Sequence, residues 1–360
     1  MKLCMTGNMF PFGEGIAYGG ERILYYLIQE LSKLGHEVYL FTKEGCNIPK
    51  QYIKDYITVG KLIDGNDIHF NVVSEYADKH RINFDIYQCN YFGESWTRET
   101  QEKWPYVELT WNRWCHAGFQ LREKPFNVVS YSRVLQNDFR AIGIETIMIH
   151  YGIPKDLYQF EPEHNNYAVW IGKIEAGKAP HLAIELAKAA GLKIVLMGPP
   201  YSTTCFYNEV APYIDNEKVF WVRGVDDQQK QKIMSKAKVF ISSNANIWKE
   251  HFGIVNIEAL AMGVPVLGFN RINQDCAIKT DGIVYDGDQG FLLNYNNSDD
   301  LQEILDKGVP LLNMIDAIDR EDCRKHFEEN FTAELMARRY DWLYKEVVQG
   351  KRFDTVEIPI

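Results

Sequence analysis

The stretch Glu250-His251-Phe252-Gly253-Ile254-Val255-Asn256-Ile257-Glu258-Ala259-Leu260-Ala261-Met262-Gly263-Val264-Pro265-Val266 decides how the rest of this 360-residue chain is read. Gly253 lets backbone approach a ligand closely at the start of a helix. A helix expected over Val255–Met262 leaves its first-turn N–H groups without partners. With the helix dipole, they suit phosphate or sugar oxygens. Glu250 lies just before this helix and Glu258 lies within it, about two turns on from Glu250. One carboxylate reaches a group at the helix tip, the other a group along its side. Carboxylates accept hydrogen bonds from hydroxyls, so the pattern suits a ligand with hydroxyls at both ends and phosphate between, as in a nucleotide diphosphate sugar.

Outward from this motif, short apolar runs alternate with helix-period segments. Strands are expected at Ala168–Ile171, Ile194–Met197, Val239–Ser242, Val264–Gly268 and Phe291–Leu293. Helices are expected from Pro180 to about Ala190 and around Gln228–Ala237. The N-terminal half follows the same grammar. Lys2–Thr6 reads as a strand and Gly7 to Gly20 as a Gly-rich loop. From Glu21, Leu24, Leu27, Ile28 and Leu31 follow helical spacing until Gly35, and Val38–Phe41 is the next strand. This order predicts an α/β protein with two Rossmann-like, doubly wound parallel sheets. The Gly/Pro-containing stretch Tyr151–Phe160 reads as the hinge between domains 1–155 and 156–332. Ligands of such sheets bind beyond the carboxyl ends of the strands, which places the expected site in the cleft between two facing domains.

The string Glu-x-Phe-Gly-x4-Glu-Ala-x-Ala-x-Gly-x-Pro-Val resembles the signature of retaining glycosyltransferase family 4, within glycosyl transferases group 1, whose fold is GT-B. The resemblance implies that Glu250 holds donor-sugar hydroxyls. It implies that backbone N–H groups around Phe252, Gly253, Ile254 and Val255 meet sugar and phosphate, and that Glu258 binds the ribose. Gly172-Lys173-Ile174-Glu175-Ala176-Gly177-Lys178 resembles the family's Gly-Arg followed by Lys, both of which hold the diphosphate. Lys173 stands where Arg is usual; it keeps the charge and loses the planar fork. Two cations there would neutralise the leaving diphosphate, work that a metal does elsewhere. Gly19-Gly20-Glu21 through Gly35-His36-Glu37-Val38 resembles the N-terminal loop and helix that approach donor phosphate and acceptor. Arg223, in Val222-Arg223-Gly224, falls near where the family places the base. The last helix, about Ala333–Val348 within 333–360, is implied to pack back on the N-terminal domain.

These matches imply a retaining, metal-independent transfer of a hexose from a UDP- or GDP-linked donor to an acceptor hydroxyl, with no cofactor. Glu250, Lys173 and Lys178 are its catalytic candidates. The acceptor hydroxyl would attack on the face the diphosphate leaves, and the leaving phosphate would take the proton. Two departures stand out. Where the family has Thr-x-His, Thr110-Trp111-Asn112 has Asn, with His116 four residues on. The usual Gly-Gly-x-x-Glu after the Pro-Val strand is replaced by Asn270-Arg271-Ile272-Asn273-Gln274-Asp275. Trp96, Trp104, Trp111 and Trp114 cluster with Tyr91, Phe92 and Tyr106, and aromatic faces suit sugars and lipid carriers. Asn112, His116, Trp111 and Trp114 are the candidate acceptor or transition-state contacts. Two other readings stay open: a nucleotide-sugar epimerase of the same fold, and a non-catalytic nucleotide-sugar-binding subunit, which the missing Thr-x-His keeps open.

Composition narrows the classes. A net charge of −10 argues against nucleic acid as a partner. Residues 1–155 carry 17 Lys/Arg against 18 Asp/Glu, and residues 156–360 carry 22 against 31. The near-neutral half is thus the better candidate for weak peripheral contact with anionic lipid. No signal peptide is visible, and no run approaches the ~20 apolar residues that span a bilayer. Seven scattered cysteines suit buried thiols in a reducing compartment. A cytoplasmic protein, soluble or peripheral to membrane, is expected. Asp286-Gly287-Asp288 is an Asp-x-Asp among glycines and reads as a turn, with no metal site expected.

Overall fold

The computed structural model describes residues 1–7, 12–13, 19–42, 44–59, 68–90, 103–109, 127–245, 249–297 and 300–353. The chain divides into two compact units, Met1–Pro154 with Thr332–Ile360, and Lys155–Phe331.

The first unit holds a seven-stranded sheet of β1 (Lys2–Thr6), β2 (Glu37–Thr42), β3 (Asp55–Thr58), β4 (Ile86–Cys89), β5 (Tyr106–Leu109), β6 (Val128–Ser130) and β7 (Thr146–Met148). Their order is β3-β2-β1-β4-β5-β6-β7, and every neighbouring pair is parallel. A parallel sheet is covered on both faces, so its inner strands read as continuous apolar runs. Leu3, Cys4 and Met5 in β1 are all fully buried. The Gly19–Lys33 helix begins two residues before the expected Glu21. Its apolar stripe starts only at Ile23, and a first turn can form without one. Trp104 and Tyr106 belong to the core: Trp104 lies edge-on to Phe84 at 5.5 Å and stacks on Tyr87 at 6.0 Å. These two rings of the aromatic cluster are therefore spent on packing. The Ala333–Val348 helix is part of this unit and packs against the Gly19–Lys33 helix. His36 Nε2 lies 3.1 Å from Asp341 Oδ1, and the Tyr344 hydroxyl donates to Gln88 Oε1. Gln88 in turn donates to Asn90 Oδ1 (2.7 Å), and Asn90 to the Thr6 carbonyl (2.8 Å).

The second unit holds β8 (Tyr167–Ile171), β9 (Lys193–Met197), β10 (Val219–Val222), β11 (Val239–Ser242), β12 (Val266–Arg271) and β13 (Gly290–Tyr295). Their order is β10-β9-β8-β11-β12-β13, again all parallel. Strand order reverses between β8 and β11, the place where such a sheet opens a crevice beyond its carboxyl ends. β12 starts after Pro265, later than the expected Val264, because proline has no N–H for the ladder; the Pro265 carbonyl still accepts from Phe240 at 2.9 Å. The Asp227–Met234 helix stops three residues short of the expected Ala237. The buried Arg320 guanidinium takes the carbonyls of Ser235 (2.6 Å) and Ala237 (2.9 Å), which fixes a turn there. Asp286-Gly287-Asp288 is a turn: Asp286 Oδ1 accepts from the Leu292 N–H at 2.8 Å.

Candidate functional site

Two loops meet at the reversal point of the second sheet. The first follows β8 and runs through Gly172 to a one-turn 3-10 helix at Ala176–Lys178, before the Pro180–Ala189 helix. The second follows β11. Ser243 ties them: its hydroxyl accepts from Trp170 Nε1 (2.9 Å) and shares its proton between the Lys178 and Ala179 carbonyls, each at 2.9 Å. The Ala245 N–H adds a bond to the Gly177 carbonyl at 3.0 Å. Gly198, at the end of β9, supports the first loop from the other side. Its φ is +142°, and a Cβ there would sit 1.9 Å from the Gly172 carbonyl oxygen. The backbone that carries Lys173 and Lys178 is therefore fixed by packing and hydrogen bonds, not by the lysines themselves.

Lys178 reaches across to Glu250, and their ammonium and carboxylate form an ion pair. Both side chains are partly screened from solvent, at 25% and 24% exposure. Burial pushes the Glu250 carboxyl up, but the Lys178 ammonium and the Phe252 N–H outweigh it and hold the group below the usual carboxylate range. The Phe252 ring points into the core and meets Phe331 edge-on at 6.1 Å. Only the backbone of Phe252 is left to serve the site. Gly253 caps the Ile254–Ala261 helix in the left-handed region, with φ +75°. The first-turn N–H groups of Ile254 and Val255 have no carbonyl within the helix to donate to.

Lys173 is exposed, and its ammonium sits 4.5 Å from the centroid of the Tyr201 ring. Arg223 is exposed just beyond the end of β10. Gly19 and Gly20 lie in the first turn of a helix in the other unit. Asn112, His116, Trp111 and Trp114 lie outside the described residues, as do Tyr91, Phe92 and Trp96.

Glu258 is buried, with 2% of its side chain exposed, and both its oxygens accept from Lys230 Nζ at 2.8 and 2.9 Å. The Tyr158 hydroxyl accepts from Lys230 at 2.9 Å. It lies 2.7 Å from Asp227 Oδ1 and 3.0 Å from Glu258 Oε1, and gives its one proton to one of them. Any ligand hydroxyl bonded to Glu258 thus shares a carboxylate already engaged by a cation and a phenol. The sequence reading passed over Lys230 and Tyr158. Asp227-Gln228-Gln229-Lys230 looks like a solvated helix start, and no local spacing marks Lys230 as turned inward.

Elsewhere in this unit a cavity of about 290 Å³ is lined by Phe160, His164, Lys238, Pro265, Asp316 and Arg320, with none of the candidate donor-binding residues. Among the described residues, no group of three or more His, Cys, Asp or Glu is placed to hold a metal ion. None of the described helices is long and apolar enough to cross a membrane.

Comparison with known proteins places this geometry. Residues 158–311 match the family model of glycosyl transferases group 1. A curated Bacillus subtilis (strain 168) protein, "Putative glycosyltransferase YtcC", is 22% identical over 202 residues, which are 52% of this chain and 47% of that protein. The chain thus spans about half the length of this relative. Among solved structures, sucrose-phosphate synthase from Thermosynechococcus elongatus has a TM-score of 0.74 at 17% identity, covering 97% of this chain and 100% of the other. HepE of Anabaena, solved with UDP and glucose, has 0.67 at 14%, covering 96% and 100%. AviGT4, a glycosyltransferase involved in avilamycin A biosynthesis, has 0.66 at 15%, covering 98% and 99%. Residues 158–311 thus carry a glycosyl transferases group 1 domain, in a chain of GT-B fold with two Rossmann-like α/β units.

Proposed function

We propose that this chain is a glycosyltransferase that moves a hexose from a nucleotide diphosphate sugar to an acceptor hydroxyl, with retention at the anomeric carbon and without a metal ion. The observation that carries this reading is the pairing of Lys178 with Glu250 beside the open start of the Ile254–Ala261 helix, at the reversal point of the sheet. A cation, a carboxylate and unpaired N–H groups converge there. That set matches phosphate, sugar hydroxyls and developing negative charge in one ligand.

In this reading the donor lies with its diphosphate toward Lys178, Lys173 and the N–H groups of Ile254 and Val255, and its hexose toward Glu250. The bond between the anomeric carbon and the phosphate oxygen breaks as the acceptor oxygen bonds to that carbon on the same face. The acceptor proton passes to the leaving phosphate. The two lysines and the helix start stabilise the charge that develops there. The group 1 domain match supports the reaction class, and HepE, solved with UDP and glucose, supports a uridine-linked hexose as the first donor to try, with GDP-linked hexoses next. The acceptor class is a glycan, a lipid carrier or a small molecule.

Incubation with UDP- and GDP-hexoses, a broad acceptor panel and EDTA tests the proposal, with the anomeric configuration of the product read by NMR. A product of retained configuration, formed at the same rate with chelator, is expected. An inverted product or one that needs added metal contradicts the mechanism. Isomerised donor without acceptor indicates an epimerase, and binding without turnover indicates a donor-binding subunit.

A further inference from the structure

The two groups that would hold opposite ends of the donor hold each other in this structure. We infer that the Lys178–Glu250 ion pair is a ligand-operated exchange that makes the site prefer the intact nucleotide diphosphate sugar over the free nucleotide diphosphate. This rests on the proposed donor site and adds to it a discrimination between substrate and product.

The geometry requires the two ends of the ligand to be coupled. Lys178 is anchored through its own carbonyl, which accepts from Ser243, and through the turn that Ala245 and Gly177 close. Glu250 is anchored by the Phe252 N–H as well as by Lys178. Neither side chain is a loose surface group, as their exposures of 25% and 24% show. A diphosphate arriving alone competes for the Lys178 ammonium. If it wins, Glu250 is left as a partly buried carboxylate without its cation, next to a new negative charge. Both effects disfavour the complex. An intact donor brings sugar hydroxyls, which donate to Glu250 and replace the bonds that Lys178 gave up. Sugar and diphosphate therefore favour each other's binding through one shared pair of side chains, which is a coupling free energy between two subsites. Once the hexose has been transferred, the diphosphate faces the bare carboxylate, and Lys178 returns to Glu250 as it leaves.

The test is calorimetric titration of the full chain with UDP, GDP and the UDP- and GDP-hexoses, for wild type, Glu250→Gln, Glu250→Asp and Lys178→Met, with thermal melts to show that each is folded. Removing the charge at Glu250 frees Lys178 for phosphate. Glu250→Gln is expected to bind the free diphosphate roughly three- to tenfold more tightly than wild type, the range expected for a partly screened ion pair. The same variant is expected to bind the nucleotide sugar at least about tenfold more weakly, from lost charged hydrogen bonds. Glu250→Asp keeps the charge and should not tighten diphosphate binding. Lys178→Met should weaken both ligands. Free-diphosphate affinity that is unchanged or weaker in folded Glu250→Gln overturns the exchange. So does a Lys178→Met protein that binds diphosphate like wild type. A folded wild type that binds none of these ligands overturns the donor-site reading itself, a different failure from the other two.

Discussion

Glu258 illustrates what burial does to a charged side chain. A carboxylate with 2% of its surface exposed keeps its charge only if a cation goes in with it, and Lys230 supplies that cation at 2.8 and 2.9 Å. Removing one partner strands the other. Lys230→Met should lower stability by about 3–5 kcal/mol, whereas Lys230→Met combined with Glu258→Gln should recover most of the loss. Urea unfolding of the two variants checks this, and equal losses would show that the pair is not coupled. Gly253 is a second such point. It has φ +75°, and an added Cβ would lie 2.4 Å from Asn256 Nδ2. Gly253→Ala should cost about 1–2 kcal/mol from the left-handed backbone alone, read as a lower melting temperature. Glu250, Glu258, Lys173 and Lys178 could be named as candidates from the sequence because each sits at a fixed spacing within one short string. Their partners were not. Lys230 is 28 residues from Glu258, and the Lys178–Glu250 pair depends on how two loops from β8 and β11 fold over each other. Neither relation leaves a local periodicity to read.

At the scale of elements, buried strands and long amphipathic helices were easiest to see. Val239–Ser242 and Ala333–Val348 were expected with the bounds the structure gives. Edges and ends were harder, because remote groups set them: Arg320 ends the Asp227–Met234 helix from 83 and 85 residues away. The short, half-exposed β3 lacks the apolar run that marks its inner neighbours. The Leu301–Asn313 helix also escaped the sequence reading, although its start is well built. Asp300 caps it by accepting from the Glu303 N–H at 3.0 Å. Glu303 in turn accepts from Lys307 one turn on and from the N–H groups of Asn296 and Asn297. The Lys307 ammonium first, and these N–H groups with it, pull the Glu303 carboxyl down to about 2 from an ordinary 4.5. A folded-state value below the unfolded one means that its contribution is complete above about pH 4.5. That contribution is lost as pH falls toward 2. Stability measured from pH 6 down to ~2 should therefore fall less steeply in Glu303→Gln than in wild type; parallel curves would show that this carboxylate does not anchor the helix.

At the scale of the whole chain, two sheets of the same winding come from one repeated grammar of strand, helix and strand, and that repetition is why the fold class could be read before any coordinate. The first unit recruits the Ala333–Val348 helix from the far end of the chain, and the Tyr344–Gln88–Asn90 hydrogen bonds tie that helix to the reversal point between β1 and β4. The group 1 match covers residues 158–311, within the second unit, which holds the Lys178–Glu250 pair and the start of the Ile254–Ala261 helix. The central proposal is that a nucleotide diphosphate sugar binds there through Lys178 and its neighbours without a metal. The most direct measurement is the thermal stabilisation of wild type and Lys178→Met by UDP-, GDP- and ADP-hexoses, with and without EDTA. A ligand at 100 times its dissociation constant adds about 2.7 kcal/mol. Stabilisation of wild type by one nucleotide class, unchanged by EDTA and strongly reduced in Lys178→Met, is the predicted result. No stabilisation by any of them, or the same stabilisation in Lys178→Met as in wild type, would contradict the proposal.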